Sequence, residues 1–261
     1  MLIDSHCHLN MLDLAEFQHD LGHVLAQAHS QDVSKFLSVC VRLEDVPKLE
    51  QIVNRYAQVY MSVGVHPDEK GDEEVLAADL IRLSQHPACI AIGETGLDYY
   101  RIDTAAERLQ QQERFRQHIR AALAVQKPLI IHTRQASADT IRIMQEEHAH
   151  EIGGVMHCFT EDWDVAQQAL ALNFYISFSG IVTFKSALDL QETAKKVPLD
   201  RMLIETDSPY LAPVPFRGKQ NHPALVKYVA LFIAALRGID YAELAQATSA
   251  NFFRCFRVAP S

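Results

Sequence analysis

The sequence predicts a (β/α)8 barrel, and three observations carry that prediction. The chain has 261 residues, close to the ~250 typical of the fold. Short apolar runs alternate with amphipathic stretches eight times, as expected of parallel strands joined by helical crossovers. Six residues with metal-ligand chemistry fall just after apolar runs, the end at which such barrels carry their sites. A doubly wound open sheet is the alternative with the same alternation.

The first run, residues 2–8, reads as a strand ending in His6-Cys7-His8. Side chains alternate faces along a strand, so His6 and His8 share one face and Cys7 takes the other. Residues 13–30 place Leu14, Phe17, Leu21, Val24, Leu25 and Ala28 at helical spacing. The remaining strands are expected at 36–41, 59–65, 89–93, 128–131, 154–156, 174–178 and 201–204. Helices are expected at 46–56, 73–83, 105–125, 136–147, 163–172 and 187–195. Two more, 222–236 and 241–253, close the chain, the last with Asp240 as its N-cap. No Pro/Gly/Ser-rich linker or low-complexity tract interrupts this order, so residues 1–261 read as one domain.

Composition excludes several classes. With 48% hydrophobic and 22% charged residues, the chain can bury a large core. No apolar run reaches the ~18–20 residues that span a bilayer, so no membrane partner is expected. The opening residues lack the basic and apolar regions of a signal peptide, which makes the cytoplasm the expected location. The five cysteines are scattered and form no CxxC pair, against a disulfide framework or a thiolate metal knot. Cys40 and Cys89 sit in apolar runs and read as small core residues. A net charge of −9 argues against broad, salt-sensitive adhesion to nucleic acid. It leaves room for a local basic patch, or for bound metal to supply positive charge.

The six candidate ligands are His6 and His8 after the first run, Glu94 after the fourth and His132 after the fifth. His157 follows the sixth run and Asp207 the eighth. Four imidazoles and two carboxylates suit zinc, manganese or a similar divalent ion. Each has a bland reading as well: a hydrogen-bonded core histidine, a helix cap, an Asx turn before Ser208-Pro209. Among the other histidines, His19, His23, His29, His148 and His150 read as surface residues.

The segment Leu-Ile-Asp-Ser-His-Cys-His-Leu-Asn at 2–10 resembles the opening signature of the TatD family of metal-dependent deoxyribonucleases, in the amidohydrolase superfamily. Gly64-Val65-His66-Pro67, the block at 93–100, His157-Cys158-Phe159-Thr160, the block at 205–211 and Pro215-Phe216-Arg217-Gly218-Lys219 are similar to further family blocks. Residues 155–162 and 174–184 resemble its YcfH-like branch, and the likeness runs from residue 2 to about 255. The resemblance implies a TIM-type barrel with two divalent metal ions, zinc, magnesium or manganese. It implies that His6, His8 and Asp207 hold one, that His132 and His157 hold the other, and that Glu94 bridges them. Two positions depart from the family pattern, Gln135 and His222, both on the expected substrate side.

In the reaction so implied, Asp207 is a ligand and the proton acceptor, and His66 touches the phosphate or the leaving group. Arg217 and Lys219 are expected to clamp a neighbouring phosphate, and Tyr99 to stack on a base. The first functional expectation is a deoxyribonuclease trimming single-stranded DNA from its 3′ end, with RNA as a further substrate, acting as a monomer. The second keeps the site but changes the substrate to an amide, lactone or aminoacyl ester. A catalytically silent nucleic-acid-binding module fits less well, because the chain lacks a broad basic stripe.

Overall fold

A computed structural model describes residues 1–69, 74–102 and 104–259. Eight strands pair in sequence order, every neighbouring pair parallel. They are β1 (Leu2–Cys7), β2 (Val33–Ser38), β3 (Val59–Val63), β4 (Cys89–Asp98), β5 (Leu129–Arg134), β6 (Gly154–Met156), β7 (Phe174–Phe178) and β8 (Met202–Ile204). The helices are α1 (Leu21–His29), α2 (Val46–Arg55), α3 (Ala77–Leu83), α4 (Ala105–Val125), α5 (Ser137–Glu146), α6 (Trp163–Ala171), α7 (Leu188–Lys196), α8 (Val226–Arg237) and α9 (Tyr241–Phe256). The (β/α)8 barrel is therefore the fold, and the open sheet is excluded because β8 returns beside β1.

Several boundaries differ from expectation, among them β2, which runs Val33–Ser38 where 36–41 was expected. The first helix begins at Leu21 rather than Asp13, because the Asp20 side chain accepts the Gly22 N–H and fixes the start there. Gln18 and His19, with φ of 55° and 59°, break the run before it. The third helix begins at Ala77, and the expected start at Glu73 lies outside the described residues. Strand β4 continues five residues past Gly93, to Asp98. Gly96 permits this: a Cβ there would lie 2.0 Å from the His132 carbonyl oxygen. Asp240 occupies the N-cap of α9, but its side chain makes no capping hydrogen bond.

Two apolar layers result. The outer one lies between sheet and helices; the inner one fills the barrel with Ile3, Leu37, Ile90, Ile130, Val155, Tyr175 and Leu203. Phe252, Phe253 and Phe256 of α9 join the inner cluster and plug the barrel below. Above this layer the inward positions turn polar. Two residues beyond Ile130, Val155 and Leu203 stand His132, His157 and Glu205, as the period of 2 requires. In β1 the phase slips once: Leu2 and Cys7 both face the outer layer, and the register with β2 shifts between Asp4 and Cys7.

The seam between β8 and β1 is closed largely by side chains. The Thr206 N–H and hydroxyl lie 2.8 and 2.6 Å from the two oxygens of the fully buried Asp4. Ser5 Oγ donates to the Ile204 carbonyl at 2.9 Å. Backbone bonds from Asp207 N–H to His6 and from His8 N–H to Ser208 complete the closure at 2.9 and 2.8 Å.

Burial pushes the Asp4 carboxyl up to about 8, against the hydrogen bonds from Thr206. A carboxyl that holds its proton more tightly folded than unfolded loses stability as pH rises from the ordinary carboxylate range, ~4, toward the folded value. Asp4→Asn keeps an oxygen for the Thr206 N–H, reverses the second bond so that its amide donates to the Thr206 hydroxyl oxygen, and removes that titration. In metal-free protein, its stability relative to wild type should therefore climb between pH 4 and 8, read by urea unfolding. A difference that stays flat with pH would show that Asp4 is ionised in the fold. Asp4→Ala should lose about 2–3 kcal/mol, because the buried Thr206 N–H is left without a partner.

Candidate metal centre

The six candidate ligands converge above the inner apolar layer. Glu94 is the hub. Its Oε2 lies 3.4 Å from His6 Nε2 and 3.9 Å from His8 Nε2. Its Oε1 lies 2.7 Å from His157 Nε2 and 3.2 Å from His132 Nδ1. Asp207 completes the first group, with Oδ1 3.3 Å from His8 Nε2 and 3.6 Å from His6 Nε2. One carboxylate thus offers one oxygen to each of two imidazole groups, the arrangement a bridging ligand needs. Glu94 reaches this place because Gly64 lets β3 and β4 approach: a Cβ on Gly64 would lie 2.4 Å from the Gly93 backbone.

The far sides of the His8, His132 and His157 rings decide which nitrogen keeps a lone pair. His8 Nδ1 lies 3.1 Å from the Val39 carbonyl, which can only accept, so Nδ1 carries the proton and Nε2 is free to ligate. His132 Nε2 faces Asp98 at 3.2 Å and His157 Nδ1 faces Glu205 at 3.2 Å, which frees His132 Nδ1 and His157 Nε2 in the same way. His6 lies flat on His157 with ring centroids 3.9 Å apart. Its buried Nδ1 has no hydrogen-bond partner among the described residues. His66 runs the other way. Its Nδ1 accepts the Asp68 N–H at 3.1 Å, so Nε2 carries the proton and points as a donor at Glu94 Oε1, 3.4 Å away. The donor set therefore fits divalent cations: imidazole lone pairs and carboxylate oxygens face one another with their protons on the outer sides.

The charges tell the same story. Burial opposes ionisation of Glu94, yet His157, His66 and the hydrogen bonds from His132 and His157 hold it well below the usual carboxylate range. Burial opposes ionisation of Asp207 too, and the His8 hydrogen bond with the nearby imidazoles draws it down. Against the burial that would lower them, carboxylates raise His8, His132 and His157. Burial wins at His66, lowered to about 4, so this ring is neutral near pH 7.

The ligand cluster opens into a cavity of about 560 Å³. Met11, Ile181, Tyr210 and Leu211 line one side, and Arg101 and Arg134 the other. Three expected substrate contacts lie elsewhere. The Tyr99 hydroxyl donates to Asp139 at 2.9 Å, with Arg108 against its ring. Arg217 lies over Phe184, 3.7 Å from the ring centroid. Neither these two nor Lys219 is among the residues that line the cavity. Gln135 is exposed, and His222 packs edge-on against Phe17. Cys7 is turned away, its thiol on the Leu37 carbonyl, whereas Cys158 reaches the cavity with its sulfur 3.1 Å from Ser179 Oγ.

Sequence reasoning missed Asp98 and Glu205, the carboxylates that orient His132 and His157. Both were within reach of strand periodicity, since Asp98 stands four residues after Glu94 and Glu205 two before Asp207. It also missed that the buried His118 takes the Val65 N–H at 3.0 Å and so anchors the segment carrying His66.

Comparison with known proteins agrees with this geometry. The family described as TatD related DNase matches residues 3–257. The uncharacterized metal-dependent hydrolase YcfH of Escherichia coli strain K12 is 48% identical over 260 residues, spanning 100% of this chain and 97% of that protein. The 3′-5′ ssDNA/RNA exonuclease TatD of Citrobacter koseri is 30% identical over 254 residues, 95% of this chain and 97% of its own. Among solved structures, YJJV, a TatD homolog from Escherichia coli K12, superposes with a TM-score of 0.87 at 23% identity. That match covers 99% of this chain and 98% of the other. With its fold, its converging ligand set and matches along nearly its whole length, the chain belongs to the family of TatD-related DNases.

Proposed function

We propose that the protein is a metal-dependent phosphodiesterase that trims single-stranded nucleic acid, DNA first, from an end. One observation carries the reading. The carboxylate hub Glu94 divides its oxygens between two imidazole groups, in a cavity whose rim carries arginines although the whole chain bears a net charge of −9. The exonuclease name of the Citrobacter relative supports the substrate class.

In this reading His6, His8 and Asp207 would hold one divalent cation, His132 and His157 a second, and Glu94 would serve both. Bound there, such cations offset the negative charge of a phosphoryl group and ease ionisation of water near neutral pH. The chain's own residues do the rest. Asp207 is ionised and lines the cavity, so its carboxylate can take a proton from attacking water. His66, neutral with its proton on Nε2, donates to a phosphoryl or leaving-group oxygen. Asp98 and Glu205 keep His132 and His157 in the ligating tautomer. Tyr99 is assigned to holding its loop through Asp139. Arg217 and Lys219 are left to meet only those parts of a substrate that extend beyond the cavity.

Metal content tests the ligand assignment. Saturated protein should hold about two divalent ions per chain, and Glu94→Ala should lower both occupancies in elemental analysis, whereas His132→Ala should lower chiefly one. Undiminished metal in Glu94→Ala would remove the hub from the model. Asp98→Asn and Glu205→Gln should each weaken affinity about 10- to 100-fold, read by chelator competition, because the ring facing each loses its orienting charge. Affinity should also fall as pH drops, since protons compete for the same lone pairs.

The reaction class is tested by turnover. Metal-loaded protein should shorten a labelled single-stranded oligonucleotide and leave a neutral carboxylic ester nearly untouched. His66→Ala should reduce kcat/KM on the oligonucleotide by about tenfold or more, the worth of one hydrogen bond to a charged group. Its metal content should stay that of wild type. Ester turnover without nucleic-acid cleavage, with manganese, magnesium and zinc each tried, would sink the phosphodiester reading.

A further inference from the structure

Tyr100, the neighbour of Tyr99, is 57% exposed and follows by two residues the cavity-lining Asp98. The Arg134 guanidinium lies 4.4 Å from its ring centroid. Both are fixed by one buried carboxylate. Asp98 Oδ1 accepts the Tyr100 N–H at 3.0 Å and Arg134 Nε–H at 3.0 Å, and Asp98 Oδ2 lies 2.8 Å from Arg134 Nη2. The same Oδ2 faces His132 Nε2. The Tyr100 backbone, the guanidinium that packs on its ring and a candidate ligand therefore share a single anchor. Arg101, the next residue, also lines the cavity, and its ion pair with Asp68, at 3.4 Å, is exposed and weak.

An exposed ring alone is ordinary. A ring and an arginine held in register by a buried carboxylate, one residue from a catalytic cavity, are not required by packing. A planar guanidinium on an aromatic face extends a flat π surface while keeping N–H donors for a phosphate. Such a surface takes any base, but only one that is not already stacked within a duplex.

We propose that Tyr100 and Arg134, with Arg101, form a subsite for the nucleotide next to the scissile linkage of a single-stranded nucleic acid. Tyr100 stacks its base, and the two arginines meet its phosphate. The proposal rests on the phosphodiester reading above and adds to it the residues that hold the neighbouring nucleotide, with no preference for sequence.

The test uses full-length, metal-loaded protein and a fluorescent single-stranded oligonucleotide with hydrolysis-resistant phosphorothioate ends. Its Kd is read by anisotropy. Tyr100→Ala should weaken binding about tenfold, and Tyr100→Phe, which keeps the ring, should restore it to within about twofold. Arg101→Ala should weaken binding and flatten its salt dependence. On a cleavable oligonucleotide, Tyr100→Ala should raise KM more than it lowers kcat. Its loss on bis(4-nitrophenyl) phosphate, which has no second nucleotide, should be at least fivefold smaller. Three results would each overturn the subsite: Tyr100→Ala binding as tightly as wild type, duplex binding as tight as single strand, or equal losses on both substrates. Ring-dependent binding without hydrolysis of either phosphodiester would keep the subsite and overturn only the catalytic reading.

Discussion

The structure depends on how one buried carboxylate is tolerated. Glu94 is 2% exposed in a cavity floor where an unpaired charge would cost several kcal/mol. Five imidazoles face its oxygens, those of His6, His8, His66, His132 and His157, and two of these are backed by further carboxylates, Asp98 and Glu205. Much of the local backbone serves that cluster. Gly64 and Gly96 sit where a side chain would hold the neighbouring strands apart, and β4 runs on far enough to deliver both Glu94 and Asp98. Asp207, at φ 56°, takes a backbone conformation uncommon for a non-glycine residue while its N–H holds His6 across the seam.

The barrel and its ligand end were legible because both depend on periodicity. The order of strands and helices follows from apolar alternation, and the step from Ile130 to His132, or Val155 to His157, is the two-residue repeat of a strand. What escaped the sequence depends on phase or direction. A glycine at 93 reads as a strand end, yet here the strand runs through it, so Asp98 went unassigned. Nothing in Leu2–Cys7 announces the register slip that places Leu2 and Cys7 on one side. Arg217 and Lys219 carry the right charge, but charge does not say which way a loop folds, and Arg217 turns onto Phe184. That the Tyr99 hydroxyl is taken up outside the cavity depended on a partner, Asp139, 40 positions away.

The seam gives the molecule a direction in time. His6 and His8 belong to the first strand, but Asp207 and the strand that flanks them from the other side arrive about 200 residues later. Phe252, which plugs the barrel beneath, follows later still. At ribosomal speeds of ~5–20 residues per second, that interval is roughly 10–40 s. Throughout it β1 has only β2 to pair with, and its two histidines face an unfinished site. The nascent chain therefore carries an open sheet edge and two unsatisfied chelating rings until its final strand and helix emerge. The donor set is complete only once Asp207 has been made, and a cation captured earlier would be held by an incomplete set of donors.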